Sequence, residues 1–306
     1  MTDVDSPTGT VITLGDGTVR ATISTVGASL RGLTVDGAQV VPSYPLGVPA
    51  PSCSGVILVP WPNRIQGGRW GDQQLAITEP AKHNASHGLL RYTDYRQVDR
   101  DASSIVLSAD VYPQAGYQFW LRTRVTYRLV PDGVEVTQEV ENRGDRPAPF
   151  GVGAHPYLTL IDPAAPVTST DLTVTVPAAE YYPVDEHSVP TGKEPVTPEL
   201  DLRNGRRLSE LSLDTGFTAL ARDESGNVRT TVAAADGRTV SLWQGAGLDY
   251  VQVFTKPNYP GTDGPVAAIA VEPQSCAANA FNTGDGLRHL APGENAAFHW
   301  GASFTR

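Results

Sequence analysis

Leu121-Arg-Thr-Arg-Val-Thr-Tyr-Arg-Leu-Val130 alternates apolar and polar residues, breaks at Pro131-Asp132-Gly133, and returns as Val134-Glu-Val-Thr-Gln-Glu-Val140. A period of two puts alternate side chains on opposite faces of an extended strand. Two such runs joined by Pro-Asp-Gly read as an antiparallel hairpin with one wet and one dry face. The pattern recurs on both sides. Upstream, Val11-Ile-Thr-Leu turns at Gly15-Asp-Gly and returns from Val19, and Ser29-Leu-Arg-Gly-Leu-Thr-Val turns at Asp36-Gly37 into Ala38-Gln-Val-Val. Between these and the central hairpin, Ser104-Ile-Val-Leu-Ser-Ala-Asp-Val is β-rich. Downstream, Leu172-Thr-Val-Thr-Val, Val228-Arg-Thr-Thr-Val, Val240-Ser-Leu-Trp, Tyr250-Val-Gln-Val-Phe and Ala296-Ala-Phe-His-Trp repeat the pattern. No segment holds a helical period over three turns, and 30 glycines and 25 prolines suit frequent turns. The spacing predicts an all-β fold, a large antiparallel β-sandwich in one domain over residues 1–306, with the proline-rich 183–198 as a long loop.

Hydrophobic residues make up 40% of the 306, enough for a large core. A formal net charge of -10 argues against nucleic acid and anionic membrane surfaces, which require clustered lysine and arginine. The polar, acidic start Met1-Thr-Asp-Val-Asp-Ser-Pro lacks a signal-peptide pattern, and no apolar run reaches membrane-spanning length. A cytoplasmic protein is expected. Cys53 and Cys276 fit no zinc spacing; free thiols are the ordinary case, and a bridge between them stays open.

Five polar clusters interrupt the apolar strands. Ala267-Ala-Ile-Ala-Val ends in Glu272 before Pro273, where the strand is expected to stop because proline has no N–H to donate. Loss of solvation at a buried strand end raises a carboxyl pKa toward general-base range. Val56-Ile-Leu-Val-Pro delivers Trp61, Asn63 and Arg64; the tryptophan reads as core, and the guanidinium offers a planar fork to hydroxyls or carboxylates. His83-Asn-Ala-Ser-His87-Gly sets two imidazoles in a loop. No cysteine or HExxH pattern completes a zinc set there, so no metal is expected, and His87 reads either as a hydrogen-bond partner of a substrate hydroxyl or as a loop histidine with a structural bond. Gly151-Val-Gly-Ala-His155-Pro-Tyr places a histidine among small residues, suited to proton transfer near neutrality. Leu213-Asp214-Thr-Gly reads either as an Asx turn or as a carboxylate for sugar hydroxyls. No P-loop, dinucleotide fingerprint or GxSxG elbow is present.

Taken in order, Trp61-Pro-Asn63-Arg64-Ile, His87-Gly, Gly153-Ala-His155-Pro-Tyr, Leu213-Asp214-Thr-Gly-Phe-Thr and Ala270-Val-Glu272-Pro resemble the aldose 1-epimerases, or galactose mutarotases. The tail Asn279-Ala-Phe-Asn-Thr-Gly and Leu290-Ala-Pro-Gly-Glu resembles that family too. Each piece alone is weak; their joint order covers nearly the whole chain. The resemblance implies a β-supersandwich that interconverts α and β anomers of a free aldohexose without a cofactor, as a monomer or homodimer. It makes Glu272 the general base and His155 the general acid. Arg64, His87 and Asp214 would bind sugar hydroxyls, with Asn63 beside them. His87-Gly88 runs into Leu89-Leu-Arg91 where many members have a further glycine, which resembles a bacterial branch and leaves the preferred sugar open.

Ring opening needs one group to take the proton of the carbon-1 hydroxyl and another to protonate the ring oxygen. A carboxylate and an imidazolium, facing each other across the sugar, are expected in those roles. The rival readings are a carbohydrate-binding protein without turnover, and a glycoside hydrolase or lyase using Glu272 with Asp214.

Overall fold

The computed structural model describes residues 3–306, and its only α-helix among them is the single turn Ala280–Thr283. Three antiparallel sheets carry most of the chain. A five-stranded sheet runs in sequence order through Val4–Ser6, Gly9–Leu14, Val19–Ser24, Ser29–Val35 and Ala38–Val41, so both upstream hairpins form as expected. A nine-stranded sheet is centred on Leu121–Val130 and Gly133–Asn142, paired without a slip from Leu121–Asn142 to Val130–Gly133. Asn295–Thr305 lies next to them, followed by Thr239–Gln244, Val228–Ala234 and Leu172–Thr175. An eight-stranded sheet is built on the hairpin of Tyr250–Gly261 and Gly264–Gln274. Asp214–Leu220 flanks that hairpin on one side; Gly153–Ala154, Tyr157–Leu158 and Ile57–Leu58 flank it on the other.

The dry faces meet in one continuous core. Ile23 and Leu33 come from the first sheet, Val125, Val136 and Trp300 from the second, Val253 and Val271 from the third. Removing each such side chain from water is worth about 1.5–3 kcal/mol, which fixes which face of each strand turns inward. Trp61 is in this core, edge-on to Phe281 at 5.7 Å, so its role is packing.

Two expectations need correction. The strand carrying Glu272 does not stop at Pro273 but runs on to Gln274. Val271 N–H donates to the Pro156 carbonyl and Ser275 N–H to Val152, which puts the Pro273 nitrogen on that same edge between them. The ladder is carried past the proline by these two flanking bonds, so one missing N–H does not end the strand. The 183–198 stretch is not wholly irregular either: Glu194–Pro195 pairs back onto Ala178–Tyr182. Cys53 and Cys276 are not bonded to each other, and no helix among the described residues is long and apolar enough to cross a membrane.

Candidate active site

Asn63, Arg64, His87, His155, Asp214 and Glu272 line one open cleft of about 320 Å³. Each arrives by a different route. Glu272 sits on the central hairpin, directly paired with Gln252. His155 comes from the break between Gly153–Ala154 and Tyr157–Leu158. Arg64–Gln66 pairs with Asn84–Ser86, and this small ribbon brings Asn63 and His87 together at its end. Both hold left-handed backbone, φ 56° and φ 60°, conformations that non-glycine residues keep only where surroundings enforce them. Here the enforcement is mutual. His87 N–H donates to the Asn63 carbonyl at 2.8 Å, and Asn63 N–H donates to His87 Nδ1 at 3.2 Å. An acceptor Nδ1 leaves the proton of the neutral ring on Nε2, a donor free for the cleft. Burial, then the neighbouring His155 and Arg64, hold the His87 pKa well below its ordinary value, which keeps it in that neutral form.

One wall of the cleft is dry. His155 is 6% exposed and Glu272 2%, and His155 Nε2 lies 3.1 Å from Glu272 Oε1. They stand side by side, not across a sugar-sized gap as the sequence led us to expect, because their strands are neighbours in one sheet. Burial pushes Glu272 well above the usual carboxylate range, with Asp214 adding to the rise, and pulls His155 down to about 4. Both shifts favour the uncharged form of each group, and a single proton between Nε2 and Oε1 is the arrangement that satisfies both. The carboxylate–imidazolium state expected from sequence is the other placement of the same proton. Gln274 Nε2 donates to Glu272 Oε2 at 3.1 Å, and the Tyr157 ring stacks on His155 at 5.4 Å, so both groups are held in place.

The rest of the lining is charged, and it opens to water at Asp214. Arg64 donates to Glu79 through Nε at 2.8 Å and Nη2 at 3.0 Å, a bidentate pair that fixes the guanidinium plane. Its Nη2 is 3.7 Å from Asp214 Oδ2. Asp214 opens the strand Asp214–Leu220 and is exposed, so its carboxylate serves the cleft and not an Asx turn. Gln252 bridges this wall, accepting from Asn63 Nδ2 at 3.1 Å and donating to Asp214 Oδ1 at 2.6 Å. Glu79, Gln252 and Gln274 went unnoticed in the sequence. His83 is exposed and outside the cleft.

His87, His155 and Glu272 each bring a ligand-type atom within 4.8 Å of the others, the one such trio among the described residues. Motif spacing gave no hint of it, since the three come from separate segments.

A sequence profile of the family described as Aldose 1-epimerase matches residues 10–301. The chain belongs to the aldose 1-epimerase family. Within and around that family, the Escherichia coli K12 protein YihR, itself uncharacterised, is 35% identical over 295 residues, covering 94% of this chain and 90% of its own. Human galactose mutarotase is 30% identical over 199 residues, covering 59% of this chain and 56% of its own. Among solved structures, a galactose mutarotase-like protein from Clostridium acetobutylicum superposes with TM-score 0.82 at 17% identity, over 97% of this chain and 95% of that one. The aldose epimerase homologue from C. elegans gives TM-score 0.81 at 19% identity over 97% and 98%. At these identities the two structures speak for the fold, which is the mutarotase-like β-sandwich the sequence predicts.

Proposed function

We propose that the protein is an aldose 1-epimerase acting on a free aldohexose, with His155 and Glu272 as its proton-transfer pair. The observation that carries this reading is the buried contact between them, His155 Nε2 to Glu272 Oε1 at 3.1 Å, in a cleft of about 320 Å³. Side-by-side placement suits the chemistry better than opposition. The carbon-1 hydroxyl and the ring oxygen are bonded to the same carbon, so adjacent groups reach both. A sugar hydroxyl donating to Glu272 favours its carboxylate form and moves the shared proton to His155. Glu272 then takes the carbon-1 hydroxyl proton while His155 protonates the ring oxygen, and the ring opens to the free aldehyde. Rotation about the C1–C2 bond presents the other carbonyl face. Closure runs the same transfers backwards, and the pair ends with the one proton it started with.

On the wet wall, Arg64 and the His87 Nε2–H donate to ring hydroxyls while Asp214 accepts from them, with Asn63 shaping that wall. These contacts hold the ring while its bond to oxygen is broken and remade. Anomer exchange moves no electrons to a carrier, so the chemistry asks for no cofactor. Free Cys53 and Cys276 suit work in the reducing cytoplasm.

The test is proton NMR of freshly dissolved α-glucose and α-galactose with and without the protein. Faster approach to the anomeric equilibrium is expected; binding without acceleration would leave a sugar-binding protein, and new products a hydrolase. Rates should be unchanged after dialysis against EDTA. Loss in EDTA with recovery in zinc would reassign the His87, His155 and Glu272 trio to a metal.

A further inference from the structure

We propose that a groove on the outer face of the five-stranded sheet, lined by none of the cleft residues, binds a small phosphate-class oxyanion on Arg31. The groove holds about 460 Å³ and is lined by Arg20, Thr22, Arg31, Ser43, Tyr44 and Thr262 among others. Arg31 is 3% exposed. Its contacts are Thr8 Oγ1 at 3.5 Å, the Tyr44 carbonyl and the Tyr44 ring, whose centroid is 3.8 Å from Cζ. None of these is anionic, and no ion pair among the described residues includes Arg31.

That distinguishes it from the chain's other buried arginine. Arg238, 6% exposed, is paired with Asp162 at 2.9 Å and with Asp236 at 2.8 Å. A buried guanidinium without a counter-charge is costly, and chains carry one where something else supplies the charge. The local backbone is arranged around it. Thr22 pairs with Gly32 and Ile23 with Leu30, which leaves Arg31 as the extra residue of a β-bulge. Bulges re-aim a side chain that the regular pleat would send elsewhere. Gly32 keeps the space beside it open: an added Cβ would collide with Ser43 Oγ and come within 2.9 Å of Thr22 Oγ1. The Ser43 and Thr22 hydroxyls therefore crowd the open side of Gly32 and line the same groove as Arg31. The buried Tyr44 hydroxyl, in the ring under Arg31, has no hydrogen-bond partner. A guanidinium fork flanked by hydroxyl donors matches an anion with several oxygens.

The experiment is calorimetric titration of the full chain with inorganic phosphate at constant ionic strength, beside thermal melts in phosphate and in chloride. Wild type should bind one phosphate and melt higher in phosphate, as mass action requires. Arg31→Met should weaken phosphate at least tenfold and lose the shift in melting, while anomer exchange is unchanged. Arg64→Met, in the cleft, should keep both phosphate responses. Equal affinity in Arg31→Met and wild type, or loss only in Arg64→Met, overturns the site. Should Arg31→Met fail to fold, the pair Ser43→Ala and Thr22→Val decides: weaker phosphate supports the groove, and undiminished binding overturns it.

Discussion

The two walls of the cleft are built from opposite materials. His155 and Glu272 lie in dry surroundings that push both toward the uncharged form, whereas Arg64 pairs with Glu79 and Asp214, whose carboxyl groups are more open to water. A group that must gain and lose a proton benefits from an environment in which neither state is fixed. A group that must hold a substrate hydroxyl benefits from a charge that never changes, locked by a bidentate partner. On the proposed reading, the division of labour between chemistry and recognition is a division of solvation, made within one cleft.

Substitutions on the dry wall should break this contrast most severely. Glu272→Gln and His155→Asn should each lower kcat by about 10²–10⁴, the usual worth of a positioned acid or base, with little change in KM. The double variant should be hardly worse than either single one, since the two share a single proton; additive losses would mean they act separately. On the wet wall, Arg64→Ala should cost about tenfold to a hundredfold in kcat/KM, in line with a charged hydrogen bond of ~1.5–3 kcal/mol, with KM rising as kcat falls. An Arg64→Ala variant with unchanged KM would remove recognition from that wall.

The pH profile sharpens the same contrast. In the proposed mechanism the pair works with one proton. Below about pH 4 His155 gains a second, and above the raised Glu272 value the pair loses its only one. A bell is expected in kcat/KM, its acid limb near pH 4 and its alkaline limb above the ordinary carboxylate range, each belonging to the pair. The smallest effect is on stability. A carboxyl whose folded pKa is raised binds its proton more tightly folded than unfolded, so stability falls as pH rises from the ordinary carboxylate value through the folded one. Glu272→Gln removes that fall. Its melting temperature should draw ahead of wild type by a widening margin as pH rises above the ordinary carboxylate value, read by parallel thermal scans; a constant margin would place Glu272 in wetter surroundings.

Strand positions were readable because period-two alternation is local, as in Leu121–Val130. The principal cleft residues were readable because a charge or imidazole interrupts an apolar strand or a glycine-rich turn, as at Arg64, His155 and Glu272. What alternation cannot give is which strand lies beside which. The contact between His155 and Glu272, and the bridge from Gln252 to Asp214, depend on sheet order and register. Glu79 lies in a loop with no periodic signal, and only the fold brings it to Arg64. Pro273 misled for a related reason: bonds from Val271 and Ser275 on either side of it hold the strand to its neighbour, and no local signal in the sequence shows that.

The hairpin of Tyr250–Gly261 and Gly264–Gln274 carries the Gln252–Glu272 rung near one end, and at its other end Thr262 N–H donates to the Ser43 carbonyl. It therefore works as a beam with a working tool at the base and a fastening at the tip. Anything that grips the tip also damps fraying along the beam, and slower amide exchange at Gln252 and Val271 is where such damping would register.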